Sequence, residues 1–194
     1  EAKRLMKYLS STYGSRIITG QHTKTVEQAE LWHIQNITGK LPALCGFEFL
    51  GYSPNIDWEN SDDETLTEAR ENQGTVEKAL EWAEKYKGII SYCWHWFSPK
   101  GGCNKSFYTE NTDFDLKAAL QDGTLENTAM ISDMDVIAEQ LKIFRDKRIP
   151  ILWRPLHEAE GTWFWWGAHG AEPCKELWRM MYERFTNLHG LNNL

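Results

Sequence analysis

Positive charge is not in excess in this chain as a whole. Its 194 residues carry 21 Lys and Arg against 28 Asp and Glu, a formal net charge of −7. Nucleic acid and anionic membranes both call for a cationic face, so neither is expected as a partner. Long apolar runs are missing too. The longest fall well short of the roughly 20 residues that cross a bilayer, so no transmembrane segment is expected. The first residues, 1–9, have the pattern of an amphipathic helix and lack the apolar core of a signal peptide. A trimmed secreted chain has the same appearance. No Gly-rich phosphate fingerprint follows the first β-type run, which speaks against a nucleotide site. The four cysteines, Cys45, Cys93, Cys103 and Cys174, lack the close pairing of a zinc centre. Cys45 and Cys93 sit in apolar strand candidates and suit small buried hydrophobes. Cys103 and Cys174 fall at loops, where a bridge in a secreted protein is one option, although spacing does not set connectivity. His22, His33, His169 and His189 show no ligand spacing, so neither a metal nor another cofactor is expected.

What is present is tryptophan. Ten in a chain of this size exceed the needs of a small core, because Trp is large and seldom fully buried. Several are therefore expected on a ligand-facing surface. Hydrophobic residues at 41% and charged residues at 25% describe a globular protein. The length suits one domain covering residues 1–194.

The chain alternates helical and strand-like stretches. Leu5, Met6, Leu9 and Tyr13 predict a helix over 3–13, stopped by Gly14. A first strand is expected over 16–20, leading to Gln21-His22. Thr25 to Gln28 has the form of a capping box opening a helix towards Gly39. The second strand is expected over 42–49 and the third over 88–96, separated by one helical stretch from Thr65 to Gly88. A long loop from Phe97 to about Met130 precedes a helix capped by Ser132 or Asp133. The apolar run 149–152 is the fourth strand, and a last helix starts near Pro173. Four strand–helix repeats predict parallel βα units. Gln21-His22, Glu48, His95 and His157-Glu158 all follow strands, as active-site residues of an eight-fold βα barrel do. The expectation is an α/β chain holding about the first four units of a (β/α)8 TIM barrel, since a full barrel needs about 250 residues.

The most informative stretch runs from Trp153 to Gly167. A buried strand delivers His157 and Glu158 side by side, and Trp163, Phe164, Trp165 and Trp166 follow on a loop bounded by Gly161 and Gly167. Sugars offer apolar ring faces for Trp and a glycosidic oxygen for an acid to protonate. The stretch thus points to a polysaccharide hydrolase with Glu158 as its acid. Capping of the loop, or pairing with Arg154, is the plainer role for Glu158. His157 and His95 could each satisfy only backbone, and Trp163 could simply pack the loop. Trp165 and Trp166 suit the loop's core, Trp58 and Tyr108 outer sugar contacts, Glu48 a structural role, and Glu160 a solvated surface.

At these residues the chain resembles glycoside hydrolase family 26, best known for endo-β-1,4-mannanases. The likeness is strongest over 153–167. It extends to Thr19-Gly20-Gln21, to Gly46-Phe47-Glu48-Phe49 and to His95-Trp96. The resemblance implies a (β/α)8 barrel and a retaining double displacement on β-mannan. It implies Glu158 as general acid/base, His157 and His95 as sugar-contacting histidines, and Trp163 as a pocket-lining aromatic. The implied nucleophile, a Glu ending a seventh strand, has no counterpart within 1–194, so the catalytic domain is expected to be incomplete at its C-terminus. Secretion is the location implied. A β-glucan or β-1,3-xylan substrate, or a fragment that binds β-glycan without cutting it, are the alternatives. Half a barrel exposes two strand edges, so a complementary C-terminal half-barrel or a second copy is an expected partner.

Overall fold

The computed structural model describes residues 1–103 and 105–194. The chain runs α1 (Ala2–Thr12), β1 (Gly20–His22), α2 (Ala29–Thr38), β2 (Leu44–Glu48), α3 (Asp63–Glu71), α4 (Thr75–Lys85) and β3 (Ile89–Cys93). A short α5 (Leu116–Ala119), a long α6 (Leu125–Asp146), β4 (Ile151–Arg154) and α7 (Ala171–Glu183) complete it, with α7 continuing into a π-helical turn, Arg184–Leu188. The strands form one parallel sheet in the order β1-β2-β3-β4. Neighbours in space are neighbours in sequence, which is the winding of a barrel; a doubly wound sheet reverses its order. The four expected βα units of a (β/α)8 barrel are therefore present.

Strand residues alternate between the two faces of the sheet. The register aligns Glu48 with Cys93 and Cys93 with Arg154, and one pleat back aligns Gly46, Ser91 and Leu152. His22 pairs with Gly46, and a Cβ at Gly46 would run into the His22 imidazole. One face thus carries His22, Glu48, Cys93 and Arg154. The other carries Cys45, Phe47, Ile90, Tyr92, Ile151 and Trp153, and it is the one the helices cover. There Tyr92 stands 5.5 Å from Phe47 and 5.8 Å from Phe144 of α6, ring centre to ring centre. Met134, Ile137, Leu141, Leu177 and Met181 close the core with no more than 1% exposure. Among the described residues, no helix is long and apolar enough to cross a membrane.

Several expected boundaries move. The first strand starts at Gly20 and not at Arg16, because β2 offers its first pair only at Leu44; Ile17 is left 92% exposed. The capping box at Thr25 does not form. Val26 N–H donates instead to Glu71 O at the end of α3 (2.9 Å), and α2 begins four residues after Thr25, behind a left-handed Gln28 (φ 58°). The stretch from Thr65 to Gly88 is two helices. Asp62 caps the first through Thr65 N–H at 2.9 Å, and Gly74 turns the chain at φ 84° before the second. The long helix starts at Leu125, capped by Thr124, whose Oγ1 accepts from Asn127 N–H at 3.0 Å. Ser132 and Asp133 are therefore inside α6 and cap nothing. The expected loop from 97 to 130 is correspondingly shorter and contains α5. All four cysteines are free, Cys103 exposed and Cys174 buried, so no bridge joins them.

Gly51, in the 3₁₀ turn Leu50–Tyr52 after β2, packs against the end of α3. A Cβ there would lie 2.6 Å from Ala69 O and 2.9 Å from Gln73 N. Gly51→Ala is expected to lower the unfolding free energy by about 1–3 kcal/mol, as overpacking does. Urea unfolding measures it; an unchanged midpoint would mean that α3 moves aside without cost.

Candidate active site

The carboxyl ends of β2, β3 and β4 bring Glu48, His95, His157 and Glu158 to one place. Glu48 is 4% exposed, yet its carboxylate is fully engaged. Oε1 accepts from the backbone N–H of Phe49 (2.9 Å), Leu50 (3.0 Å) and His95 (2.6 Å). Oε2 faces His95 Nδ1 at 2.8 Å. Burial alone would raise the Glu48 pKa, but the hydrogen bonds and charge of His95 outweigh it and hold the carboxyl below its usual range.

His95 passes the interaction on. Burial pulls its pKa down, the Glu48 hydrogen bond and charge push it up more strongly, and the result is a raised value. Its Nε2 lies 3.0 Å from His157 Nε2, with the rings at 81°. Two imidazole nitrogens that close share one proton, so one ring donates and the other accepts. Burial, and then the His95 charge, lower the His157 pKa to about 4. His157 is thus the neutral member of the pair. Its Nδ1 is buried without a partner among the described residues. Phe107 and Phe164 wall in His95, with ring centres at 4.8 and 5.5 Å.

Glu158 itself is exposed. Both residues flanking His157, Leu156 (φ 52°) and Glu158 (φ 55°), have left-handed backbones. Non-glycine residues adopt that region at a cost of about 1–3 kcal/mol, and such strain gathers at functional sites. The loop that follows holds the strain in place. Trp166 Nε1 donates to His157 O (3.0 Å) and Trp165 Nε1 to Trp96 O (2.7 Å). Thr109 N–H donates to Trp163 O (2.7 Å), and Tyr108 pairs with Phe164 as an antiparallel bridge, which ties the β3 loop to the β4 loop. Gly167 is required, since a Cβ there would come within 2.6 Å of Ala159 O. Gly161 is required because the Trp163 ring lies directly on it. Trp163 is 51% exposed, and its Nε1 donates to Glu158 Oε2 at 3.0 Å. Among the described residues Glu158 has no ion pair with Arg154, whose NH1 instead meets Cys93 Sγ at 3.1 Å.

The residues expected from the sequence, Glu158, His157, His95 and Trp163, are therefore brought together. Trp165 and Trp166 are buried as loop core. Tyr108, 39% exposed, lines the adjoining cleft of about 290 Å³ with His22, Lys24, Glu48, Glu68 and His95. Trp58 makes no hydrogen bond or ring contact with the cluster among the described residues. Two things escape the sequence. One is the central place of Glu48, which its position two residues after Gly46 on the His22 face could have signalled. The other is the enclosure of His95 by Phe107 and Phe164, which depends on contacts between distant loops. A larger groove, about 600 Å³, lies along β4 between Trp153, Trp178, Tyr182 and Phe185. It is mostly apolar, holds none of these polar groups, and follows the edge of β4, which pairs with no further strand among the described residues. Among the described residues no three His, Cys, Asp or Glu side chains converge on a metal-sized site.

Comparison with known proteins bears on the family and the fold. A mannan endo-1,4-β-mannosidase of Thermothelomyces thermophilus is 43% identical over 202 residues, covering all of this chain and 39% of that protein. A mannan endo-1,4-β-mannosidase B of a Piromyces species is 38% identical, again over the whole chain and 33% of the relative. Among solved structures, a β-(1,4)-mannanase of Podospora anserina superimposes with a TM-score of 0.85 at 43% identity, covering all of this chain and 42% of that one. A β-mannanase from a symbiotic protist of the termite Reticulitermes speratus, complexed with gluco-manno-oligosaccharide, gives 0.86 at 34%, covering all of this chain and 59% of that one. The chain thus spans about a third to two fifths of the length of those curated relatives. The model of glycosyl hydrolase family 26 matches residues 1–194, and the chain belongs to that family.

Proposed function

We propose that the protein is a secreted endo-β-1,4-mannanase, that residues 1–194 are part of one catalytic domain, and that Glu158 is its general acid/base. The observation that carries this reading is the setting of Glu158: an exposed carboxyl on a strained strand-end loop, bonded to the half-exposed indole of Trp163 and next to the His157–His95–Glu48 chain. Glu158 would protonate the departing glycosidic oxygen and later take a proton from the water that frees the sugar. The bond from the anomeric carbon to that oxygen breaks as a nucleophilic carboxylate bonds to the same carbon; water then displaces the carboxylate. Trp163 would stack on a sugar ring, with His157 and His95 contacting its hydroxyls.

Glu48 is no candidate for the nucleophile, because its two oxygens already serve four donors. Among the described residues, no strand other than β2 ends in a carboxylate. The nucleophile is accordingly assigned to a further strand of the barrel. The same observation favours, for residues 1–194 taken alone, a second reading: β-glycan binding without cleavage.

The test is reducing-end release from linear β-mannan by the protein carrying a complete barrel, beside Glu158→Gln. Loss of about 10²–10⁴-fold in kcat is expected, the range for a general acid/base. Faster release from β-glucan or β-1,3-xylan would overturn the substrate; equal rates in the two proteins would overturn the role of Glu158.

A neutral His157 has a thermodynamic signature. The unfolded chain takes up a proton on this imidazole near the ordinary 6.5, whereas the folded chain refuses it until about 4. Where the unfolded state binds more protons, stability falls as pH falls. Between those values His157 therefore costs the folded state stability that His157→Gln does not lose. The stability gap between wild type and His157→Gln should narrow as pH drops from about 7 to about 4. A gap that stays constant would mean that His157 titrates alike in both states.

A further inference from the structure

Asp133 is a buried ionisable group that the proposed mechanism does not use. It lies in the middle of α6 and is 1% exposed. Its Oδ2 accepts from Trp96 Nε1 at 2.8 Å and its Oδ1 from Asn55 Nδ2 at 2.6 Å. From the β3 loop it faces Trp96 and from the β2 loop Asn55. Both donors are neutral, and among the described residues no Lys, Arg or His pairs with the carboxylate. Burying a carboxylate against two neutral donors is costly. The choice has a chemical reason: an ionised carboxylate accepts on both oxygens at once, whereas an amide of the same size presents one acceptor and one donor.

What the carboxylate holds matters for Glu158. Trp96 is fully buried. Its indole stacks on Trp94 (4.1 Å, 16°) and meets Trp165 edge-on (5.0 Å). Its carbonyl accepts from Trp165 Nε1 at 2.7 Å, and Trp165 packs edge-on against Trp166, the residue bonded to His157 O. The other branch is tied as well. Asn55 follows Ser53, whose Oγ accepts from Trp94 Nε1 at 3.1 Å. A displacement of the Trp96 indole therefore passes through a continuous set of packed rings to the backbone of His157 and Glu158.

We infer that Asp133 is a positioning residue whose ionised carboxylate sets Trp96 and, through Trp165 and Trp166, the loop that presents His157 and Glu158. The inference rests on the mannanase reading for its kinetic consequence, but not for the tie itself. Asp133 needs its charge to serve both donors. Burial raises its pKa to about 7, with the Trp96 and Asn55 hydrogen bonds acting the other way. Protonation below that value removes one acceptor and loosens the loop.

The experiment compares wild type, Asp133→Asn and Asn55→Ala in the protein with a complete barrel, by kcat and KM on linear β-mannan across pH and by near-UV circular dichroism without substrate. In wild type kcat should fall as pH drops through about 7. Asp133→Asn should lose about 10- to 100-fold in kcat with KM little changed, the pattern of misplaced catalytic groups, and the fall near neutral pH should vanish. Asn55→Ala keeps the Trp96 bond but withdraws a donor that stabilises the ionised form, so its acid limb should move to higher pH. A change in mere stability would move neither limb. Wild-type kcat in Asp133→Asn, or an acid limb left in place in both variants, overturns the inference. Should the wild type release no sugar from β-mannan, the reading of the substrate fails and the dichroism decides. A tryptophan signal that titrates near neutrality in wild type and at higher pH in Asn55→Ala supports the tie; one that is flat across that range overturns it.

Discussion

The carboxylate of Glu48 is buried with hydrogen bonds from four donors, and a buried charge of that kind holds its place only while its donors stay. Two of them, Phe49 and Leu50, open the 3₁₀ turn after β2; the other two belong to His95, just past β3. One side chain thus fixes how two strands end. Because His95 is held from the Glu48 side, its other nitrogen is aimed at His157, and burial with the His95 charge leaves His157 the neutral ring. Glu158 is next in the chain, so its backbone is registered against the same group.

Tryptophan does the corresponding work on the apolar side. An excess of tryptophan suggests a ligand-facing surface, and Trp163 is half exposed. Several others, however, act as long rigid struts with a polar tip. Trp94 reaches Ser53, Trp96 reaches Asp133, Trp165 reaches Trp96 O and Trp166 reaches His157 O. A ring of this size spans between elements, and its single N–H settles its orientation. Leucines could fill the same volume but could not specify one arrangement.

What is legible in the sequence is whatever depends on near neighbours along the chain. The strand leading to His157-Glu158, the glycine-bounded aromatic loop and the four βα units are all local patterns. The boundaries that move turn on distant partners. Thr25 has the right residues for a cap, yet Val26 N–H is claimed by Glu71 in α3. Asp133 resembles a helix start because Asp favours caps, but its carboxylate is spent on Asn55 and Trp96, far away in sequence. The division of α3 from α4 is different, because its signal is local. Gly74 stands where an unbroken helix would need a better helix former.

If Glu158 is the proposed acid/base, its left-handed backbone sets the chemistry of the site against the folding of its loop. Glycine takes that conformation without penalty, and asparagine tolerates it better than glutamate. Replacing Glu by either residue at this position is therefore downhill in backbone conformational energy, although it gives up the hydrogen bond from Trp163 Nε1. If Glu158 is the proposed acid/base, a chain released from turnover would lose this carboxylate early and gain stability from the loss. On the same reading, a chain with an intact loop and a small residue at 158 would bind the sugar without cleaving it.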